Sequence, residues 1–204
     1  MLADRFAEAW GKPVLVENAT GAGGNIAVDR AAKAAPDGYT LVMASSAITI
    51  NPSLYEKMPY DPVRDLAPIS LVIFTPSVLV VHNNVPAKNV KEFVALARAQ
   101  PGKLTCGHAG VGTPSHLSAE LFKSGAGVDI QAVPYRGIPS LLPDLLAGLI
   151  TMTVPNMSVV LPLVREGKLR ALAAMAPARP IALPDVPPLA EAGLPALTQP
   201  YGSA

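Results

Sequence analysis

Apolar residues in the first eighty positions follow two patterns, helical spacing at the start and short continuous runs afterwards. Leu2, Phe6 and Trp10 recur at helical spacing and the pattern stops at Gly11, which predicts a first helix. Short apolar runs predict four strands in this part of the chain, at 13–18, 40–44, 68–74 and 77–82. A helix of small residues is predicted over about 25–35, and the proline-rich passage 51–68 is expected to be irregular, with at most one helical turn.

Helices and strands alternate strictly from residue 90 to residue 176. The helix predicted over Val90–Ala99 has Asn89 at its N-cap and Glu92 three residues later, the arrangement of a capping box. Gly102 and Gly167 follow helix ends, in the place of C-terminal caps. The remaining helices are predicted over 114–123, 140–147 and 159–166, and the strands over 103–107, 129–135, 149–154 and 169–176.

This alternation predicts an α/β fold with a mostly parallel sheet covered by helices on both faces. The adjoining strands over 68–82 interrupt the alternation and indicate a crossover between two α/β lobes. At 204 residues, half of them apolar, the chain can bury a substantial core in one large domain or two small ones.

Charge and cysteine content exclude several classes of protein. A net charge of +1 gives no electrostatic reason to expect nucleic acid or an anionic membrane as a partner. The longest apolar stretch is broken by Pro76 and is too short to span a bilayer. The single cysteine, Cys106, excludes an internal disulfide and a cysteine zinc site. The N-terminus lacks the basic and apolar regions of a signal peptide, which taken alone predicts a cytoplasmic protein.

The motifs of common enzyme classes are missing or incomplete. "GAGGNI" follows a predicted strand, but a dinucleotide fingerprint requires glycine at Ile26 and an acidic residue where Ser45 and Ser46 end the next strand. No G-x-S-x-G occurs, and Ser115 and His116 are adjacent, so their side chains point about 100° apart on a helix. The three histidines have no metal-ligand spacing. We therefore predict no catalytic residue, no cofactor and no metal.

The stretch "GVGTPSH" has the features of an anion-binding helix start. Thr113 is a natural N-cap, and Pro114 suits the first helical position. The main-chain N–H groups of Ser115 and His116 then point out of the helix end, where the helix dipole favours a carboxylate or phosphate. Gly110 and Gly112 would let such a ligand approach the backbone closely. Many helices begin this way and bind nothing, so both interpretations stay open.

Other polar residues follow predicted strand ends, where ligands sit in open α/β sheets. Arg136 can offer a bidentate fork to a carboxylate or form a surface ion pair. Asn156 can hydrogen-bond a ligand or cap the helix that follows it. Ser45 and Ser46 occupy the corresponding position in the first part of the chain.

Seven long motifs occur in an order that resembles one family over nearly the whole chain. They are "TGAGGNIAVDRAAKAAPDGYTLVMASS", "NPSLYEKMPYDPVRDLAPISLV", "AGVGTPSHLSAELF", "VPYRG", "DLLAGLI", "GKLRALA" and "LPDVPPLAEAGLP". They resemble the solute receptors of tripartite tricarboxylate transporters, the Bug-type proteins. The resemblance implies a two-lobed periplasmic binding protein fold of type II that holds a small organic carboxylate between its lobes. It also implies a periplasmic receptor without catalytic activity, whose partner is a membrane permease.

The same resemblance assigns the residues around Gly110 to His116 to the carboxylate clamp, and Ser45 and Ser46 to a loop that faces the cleft. The family begins with a signal peptide, a strand and another glycine-rich loop, and ends with further elements of the first lobe. We therefore expect a fragment with an incomplete first lobe, 1–77 and a return over 197–204, and a complete second lobe, 78–196. The family often has an acidic residue in place of Asn156.

Two rival hypotheses remain from the sequence. The first is the cytoplasmic effector-binding module of a transcription regulator, which uses a similar two-lobed fold. The lack of a signal peptide favours it, whereas the missing DNA-binding helices and the family motifs oppose it. The second rival is an enzyme of α/β type.

Overall fold

The computed structural model describes residues 2–194 of the chain. Its helices are α1 (Leu2–Trp10), α2 (Asn25–Ala32), α3 (Ala47–Leu54), α4 (Val90–Ala99), α5 (Pro114–Ala126), α6 (Ile138–Leu146) and α7 (Met157–Arg165), with a short 3₁₀ turn at Ala22–Gly24. Its strands are β1 (Ser77–His82), β2 (Thr105–His108), β3 (Gln131–Pro134), β4 (Met152–Thr153) and β5 (Leu169–Met175). The predicted return of 197–204 and the end of the second lobe at 196 lie outside the described residues.

The five strands form one sheet in the order β3-β2-β4-β1-β5. β2 runs parallel to β3 and β4, whereas β1 runs antiparallel to β4 and β5. Four strands therefore point in one direction and β1 points in the other. Two of the four strand pairings in the described residues are parallel and two are antiparallel, so the sheet is mixed, whereas a mostly parallel one was predicted. β1 enters the sheet from a segment without secondary structure, and so without the crossover helix that a parallel neighbour would need.

Helices cover both faces of this sheet because β1, an interior strand, is apolar on both sides. Leu79 and Val81 of β1 pack with the apolar residues of α4 and α5, among which Phe93 and Phe122 lie 6.1 Å apart. Val78 and Val80 pack on the opposite face, with α6 and α7. Each fully buried phenylalanine contributes about 1.5–3 kcal/mol of transfer free energy.

Local signals set the helix ends in this part of the chain. Asn89 Oδ1 accepts the Glu92 N–H at 2.9 Å, which confirms the predicted cap. The Glu92 carboxylate in turn accepts the Lys88 N–H at 2.7 Å, one residue before the usual capping-box position. Gly102 and Gly167 have φ of +68°, the left-handed conformation expected after a helix. α5 extends three residues past its predicted end and is closed by Gly127 at φ +61°.

The strands predicted over 13–18, 40–44 and 68–74 are wrong. Within residues 2–194, these three segments are neither helix nor strand and join no sheet. Leu15 is 91% exposed and Ile69 is 80% exposed. An apolar run becomes a strand only where a neighbouring strand accepts its main-chain hydrogen bonds, and these runs have no such neighbour among the described residues.

The first part of the chain also differs from prediction in its helices. α2 ends at Ala32, about one turn earlier than predicted. α3 is a complete helix that begins at Ala47 and extends to Leu54, where at most one turn was expected. None of the helices in the described range has both the length and the apolar character needed to cross a membrane.

Candidate functional site

Three of the predicted ligand segments lie at one edge of the sheet. β2, β3 and β4 are parallel, with Gly107 opposite Val133 on one side and Thr153 on the other. The segments that leave the carboxyl ends of these strands therefore emerge side by side. They are 109–113, which we call the glycine loop, the turn that contains Arg136, and the turn that contains Asn156.

The glycine loop is closed by the hydroxyl of Thr113. Thr113 occupies the predicted N-cap position of α5, with Pro114 at the first helical position. Its side chain does not cap the helix, however, because Oγ1 donates to the Gly110 carbonyl at 2.6 Å. The Thr113 N–H bonds to the same carbonyl at 3.3 Å. The expected side-chain cap is therefore wrong, and the threonine stabilises the loop instead.

Ser115 ties the loop to the end of β2. Its side chain is buried, and Oγ accepts the N–H of Ala109 at 3.0 Å. A hydroxyl engaged in this way positions backbone rather than attacking a substrate. The main-chain N–H groups of Ser115 and His116 belong to the first turn of α5, where a helix supplies no acceptor for them. They are the donors that an anion would meet at this helix end.

Two histidines lie beneath the glycine loop. His108 Nδ1 accepts the Gly110 N–H at 3.3 Å, and His116 Nδ1 accepts the Gly112 N–H at 3.4 Å. The two ring centroids are 4.5 Å apart, with a tilt of 43° between the planes. Burial of His108 lowers the pKa of its imidazole below the ordinary histidine value, because the charged form loses its hydration. His108 is therefore neutral at pH 7 and available as an acceptor.

A second glycine-rich segment packs against the glycine loop from the first part of the chain. The Tyr55 hydroxyl donates to the Val111 carbonyl at 3.3 Å. A Cβ atom at Gly23 would lie 2.6 Å from that same carbonyl oxygen, and Gly23 has φ of +64°. Only glycine permits this close approach of the two backbones.

Buried amides support the contact between the two segments. Asn51 Nδ2 donates to Asn25 Oδ1 at 2.7 Å, and the Tyr60 hydroxyl donates to the same oxygen at 2.8 Å. The remaining Asn51 oxygen is buried and accepts no hydrogen bond from the described residues. It faces Gly112, where a Cβ atom would lie only 2.3 Å away.

Sequence reasoning missed Gly23, Asn25, Asn51 and Tyr55. The segment that contains Gly23 follows a predicted strand and has no complete dinucleotide-binding motif, so no ligand role was predicted for it. The sequence did contain one signal for these residues. It has two glycine-rich segments, and a ligand site can be formed between two such segments.

Ser45 and Ser46 are exposed at the N-terminal end of α3. The Ser45 hydroxyl accepts the Ala47 N–H at 3.3 Å. Asn51, which faces the glycine loop, lies five residues after Ser46, the N-cap of α3, or about 7.5 Å along the helix axis. No recorded contact within residues 2–194 joins either serine to the glycine loop, so their ligand role stays a prediction.

Arg136 and Asn156 are exposed at the same edge as the glycine loop. Within the described part of the chain Arg136 makes no ion pair, so the surface-pair alternative is not observed. Asn156 occupies the N-cap position of α7, but its side chain makes no cap hydrogen bond. Both side chains are free to meet a ligand, and this role also stays a prediction.

Other groups in the region have structural explanations. Cys106 is buried in β2, and burial raises the pKa of its thiol to about 12, so the thiolate does not form at neutral pH. The Tyr135 hydroxyl donates to Asp144 Oδ2 at 2.6 Å, and this bond raises the pKa of the phenol to about 12. Among residues 2–194, no group of three or more histidine, cysteine or acidic side chains could hold a metal.

Comparison with known proteins places this geometry in context. Residues 1–202 match the family described as "Tripartite tricarboxylate transporter family receptor". The chain is 38% identical to Protein BugT of Bordetella pertussis over 197 residues, which are 96% of this chain and 60% of BugT.

Two solved structures are also similar. An R. palustris protein with adipate has a TM-score of 0.93 and 36% identity, over 97% of this chain and 67% of that one. MatC from Rhodopseudomonas palustris with bound malate has a TM-score of 0.89 and 32% identity, over 97% of this chain and 68% of that one. These matches confirm the α/β fold of the two-lobed receptors, and the chain spans about two thirds of each structure.

Proposed function

Because this chain belongs to the receptor family of tripartite tricarboxylate transporters, we propose that it captures a small organic carboxylate and delivers it to a membrane permease. The observation that carries the proposal is the first turn of α5, whose free N–H groups open beside two glycine-rich segments. The cleft lies between a first lobe, 1–77, and a second lobe, 78–196. The receptor acts in the periplasm, without a cofactor, a nucleic-acid partner or a catalytic step.

The helix end supplies the primary carboxylate contact. The Ser115 and His116 N–H groups donate to one carboxylate, and the dipole of α5 adds to the attraction. Hydrogen bonds to a charged group contribute about 1.5–3 kcal/mol each, so two donors provide roughly 3–6 kcal/mol. Gly110, Gly112 and Thr113 shape the loop so that the acid reaches these donors.

Exposed polar groups at the cleft then select the rest of the ligand. Adipate and malate, found in the two R. palustris structures, each carry two carboxylates. Arg136 has no ion-pair partner in the described residues and can bind a second carboxylate through its planar fork. Asn156, Ser45 and Ser46 provide amide and hydroxyl groups for the remaining polar atoms of the acid.

Calorimetry with adipate, malate and a monocarboxylate such as hexanoate tests this function. We expect the 204-residue chain to bind at least one of the dicarboxylates, with the adipate-bound R. palustris protein as the positive control. Arg136→Ala should weaken dicarboxylate binding by about tenfold to a hundredfold, since a charged hydrogen bond is lost. Lys103→Ala is the matched control, because Lys103 is exposed before β2, at the opposite edge of the sheet. Equal weakening by both variants, or no binding of any acid, would contradict the proposal.

A further inference from the structure

We propose that His108 and His116 are positioning residues that hold the glycine loop in its ligand-receiving shape, so that acidification releases the loop and weakens binding. The inference rests on the proposed function and adds a regulatory property to the same site. It goes beyond the resemblance because it assigns a role to the two imidazole rings, whereas the clamp uses the main-chain N–H of His116.

Most of the main-chain N–H groups of the glycine loop already have hydrogen-bond acceptors. The Gly110 and Gly112 N–H groups each bond to an imidazole Nδ1, at 3.3 and 3.4 Å. The Thr113 N–H bonds to the Gly110 carbonyl within the loop. Within residues 2–194, the N–H groups of Val111 and of the first α5 turn have no such acceptor, so they are the donors that can meet an anion. Their direction depends on the bonds that hold the rest of the loop.

Both imidazoles must be neutral for this arrangement. A neutral imidazole has one acceptor nitrogen, which here is Nδ1 in each ring, so the proton is on Nε2. Protonation of Nδ1 turns the acceptor into a donor that faces a glycine N–H, and the bond is lost. Two imidazolium rings with centroids 4.5 Å apart would also repel each other.

The surrounding groups do not compensate for the added charge. On α5, Glu120 and Lys123 act on His108 with opposite signs and are paired with each other at 2.8 Å. On the neighbouring turn, Tyr135 is bonded to Asp144 of α6. From the first part of the chain, Tyr55 contacts the loop through its neutral hydroxyl.

The direction of the pH effect follows from burial of His108. Burial lowers the pKa of this imidazole in the folded chain, below the value of about 6.5 for an unfolded histidine. A group with a lowered pKa contributes stability in full above the unfolded value. That contribution is lost as the pH falls from about 6.5 towards the folded value. Loop order and acid affinity should therefore be constant above about pH 7 and decrease below about pH 6.5.

Substitutions separate positioning from other roles of the ring. His116→Asn keeps a neutral acceptor near the Nδ1 position, so we expect it to lose less affinity between pH 7.5 and pH 5.5 than the parent loses. His116→Phe keeps a ring without an acceptor and should lose about tenfold in affinity at both pH values, as expected for one unmet N–H. His82→Asn is the matched control: its Nδ1 also accepts a main-chain N–H, from Asn84 at 3.3 Å, but it lies at the opposite edge of the sheet.

The test combines calorimetry with adipate at pH 7.5 and 5.5 with amide NMR of the ligand-free chain over the same range. We expect the Gly110 and Gly112 amides to shift on acidification in the parent and in His82→Asn. A smaller Gly112 shift is expected in His116→Asn. If the amide chemical shifts of Gly110 and Gly112 did not change on acidification, the inference would be overturned even if acids bind. Affinity that rises on acidification would also overturn it, because it would show direct binding of carboxylate to imidazolium. If no acid binds, the proposed function fails, and the NMR titration still decides the role of the histidines.

Discussion

Replacing Gly112 by alanine probes the contact between the glycine loop and the first part of the chain. Gly112 has φ of +80°, and an added Cβ would lie 2.3 Å from Asn51 Oδ1 and 3.1 Å from Leu54 Cδ2. The left-handed backbone alone costs alanine about 1–2 kcal/mol. Relief of the clash requires Asn51 to move, and its 2.7 Å bond to Asn25 is then lost. A buried hydrogen bond of this kind adds about 0.5–1.5 kcal/mol, for a total of roughly 1.5–3.5 kcal/mol.

A matched control isolates the clash from the backbone term. Gly38 has φ of +82°, and an added Cβ there would meet nothing within 4 Å. Gly38→Ala should therefore cost only about 1–2 kcal/mol of backbone strain. The double variant Gly112→Ala with Asn51→Ala should show an energetic coupling between the two positions, because removal of the amide makes room for the new methyl.

Urea unfolding followed by far-UV circular dichroism measures these differences as shifts in the free energy of unfolding. We expect Gly112→Ala to be less stable than Gly38→Ala by about 1 kcal/mol, the value of one buried hydrogen bond. If the two alanine variants were equally stable, or if the double variant showed no coupling, the close packing of Gly112 on Asn51 would be refuted.

Three further predictions concern single residues. Asn89→Ala should reduce the free energy of unfolding by about 1 kcal/mol through loss of its cap, whereas Asn84→Ala should not; equal effects would contradict the cap. Native Cys106 should react slowly with a thiol reagent at pH 8 and rapidly in urea, since its thiol pKa is about 12; fast native reaction would contradict its burial. Tyr135→Phe should remove an ultraviolet titration near pH 12, and the stability that Tyr135 contributes below pH 10 should be lost as the pH rises through about 12.

The second half of the fold follows from local signals that agree with packing. The cap at Asn89, Pro114 at the start of α5 and the glycine after α7 set helix ends within a few residues of prediction. The apolar runs between these helices pair with other strands in one sheet, so the strands predicted in the second half of the chain are confirmed.

The first part of the chain shows the limit of the same reasoning. The run over 13–18 has the composition of a strand, but a run of apolar residues does not specify a partner, and none lies beside it in the described chain. The start of α3 was missed, and the passage 51–68 was expected to be irregular because it is rich in proline, whereas the helix accommodates Pro52 in its last turn.

The candidate site also combines features that are local in the sequence with features that depend on packing. The helix start at Thr113 and Pro114 is a local signal, and α5 begins where it predicts. The contact of Gly23 with Val111 joins residues far apart in sequence and depends on how the two parts of the chain pack. The histidine bonds to Gly110 and Gly112 depend on the turn conformation of the loop, which residue spacing alone does not define.

A crystal structure of the chain with bound adipate tests the central claim most directly. The account predicts that a carboxylate oxygen lies about 2.7–3.2 Å from the main-chain nitrogens of Ser115 and His116, the range of N–H···O hydrogen bonds. It also predicts that the acid contacts the glycine loop, with its second carboxylate towards Arg136. An acid that occupied a site away from residues 109–116, such as the opposite edge of the sheet beside His82, would contradict the account.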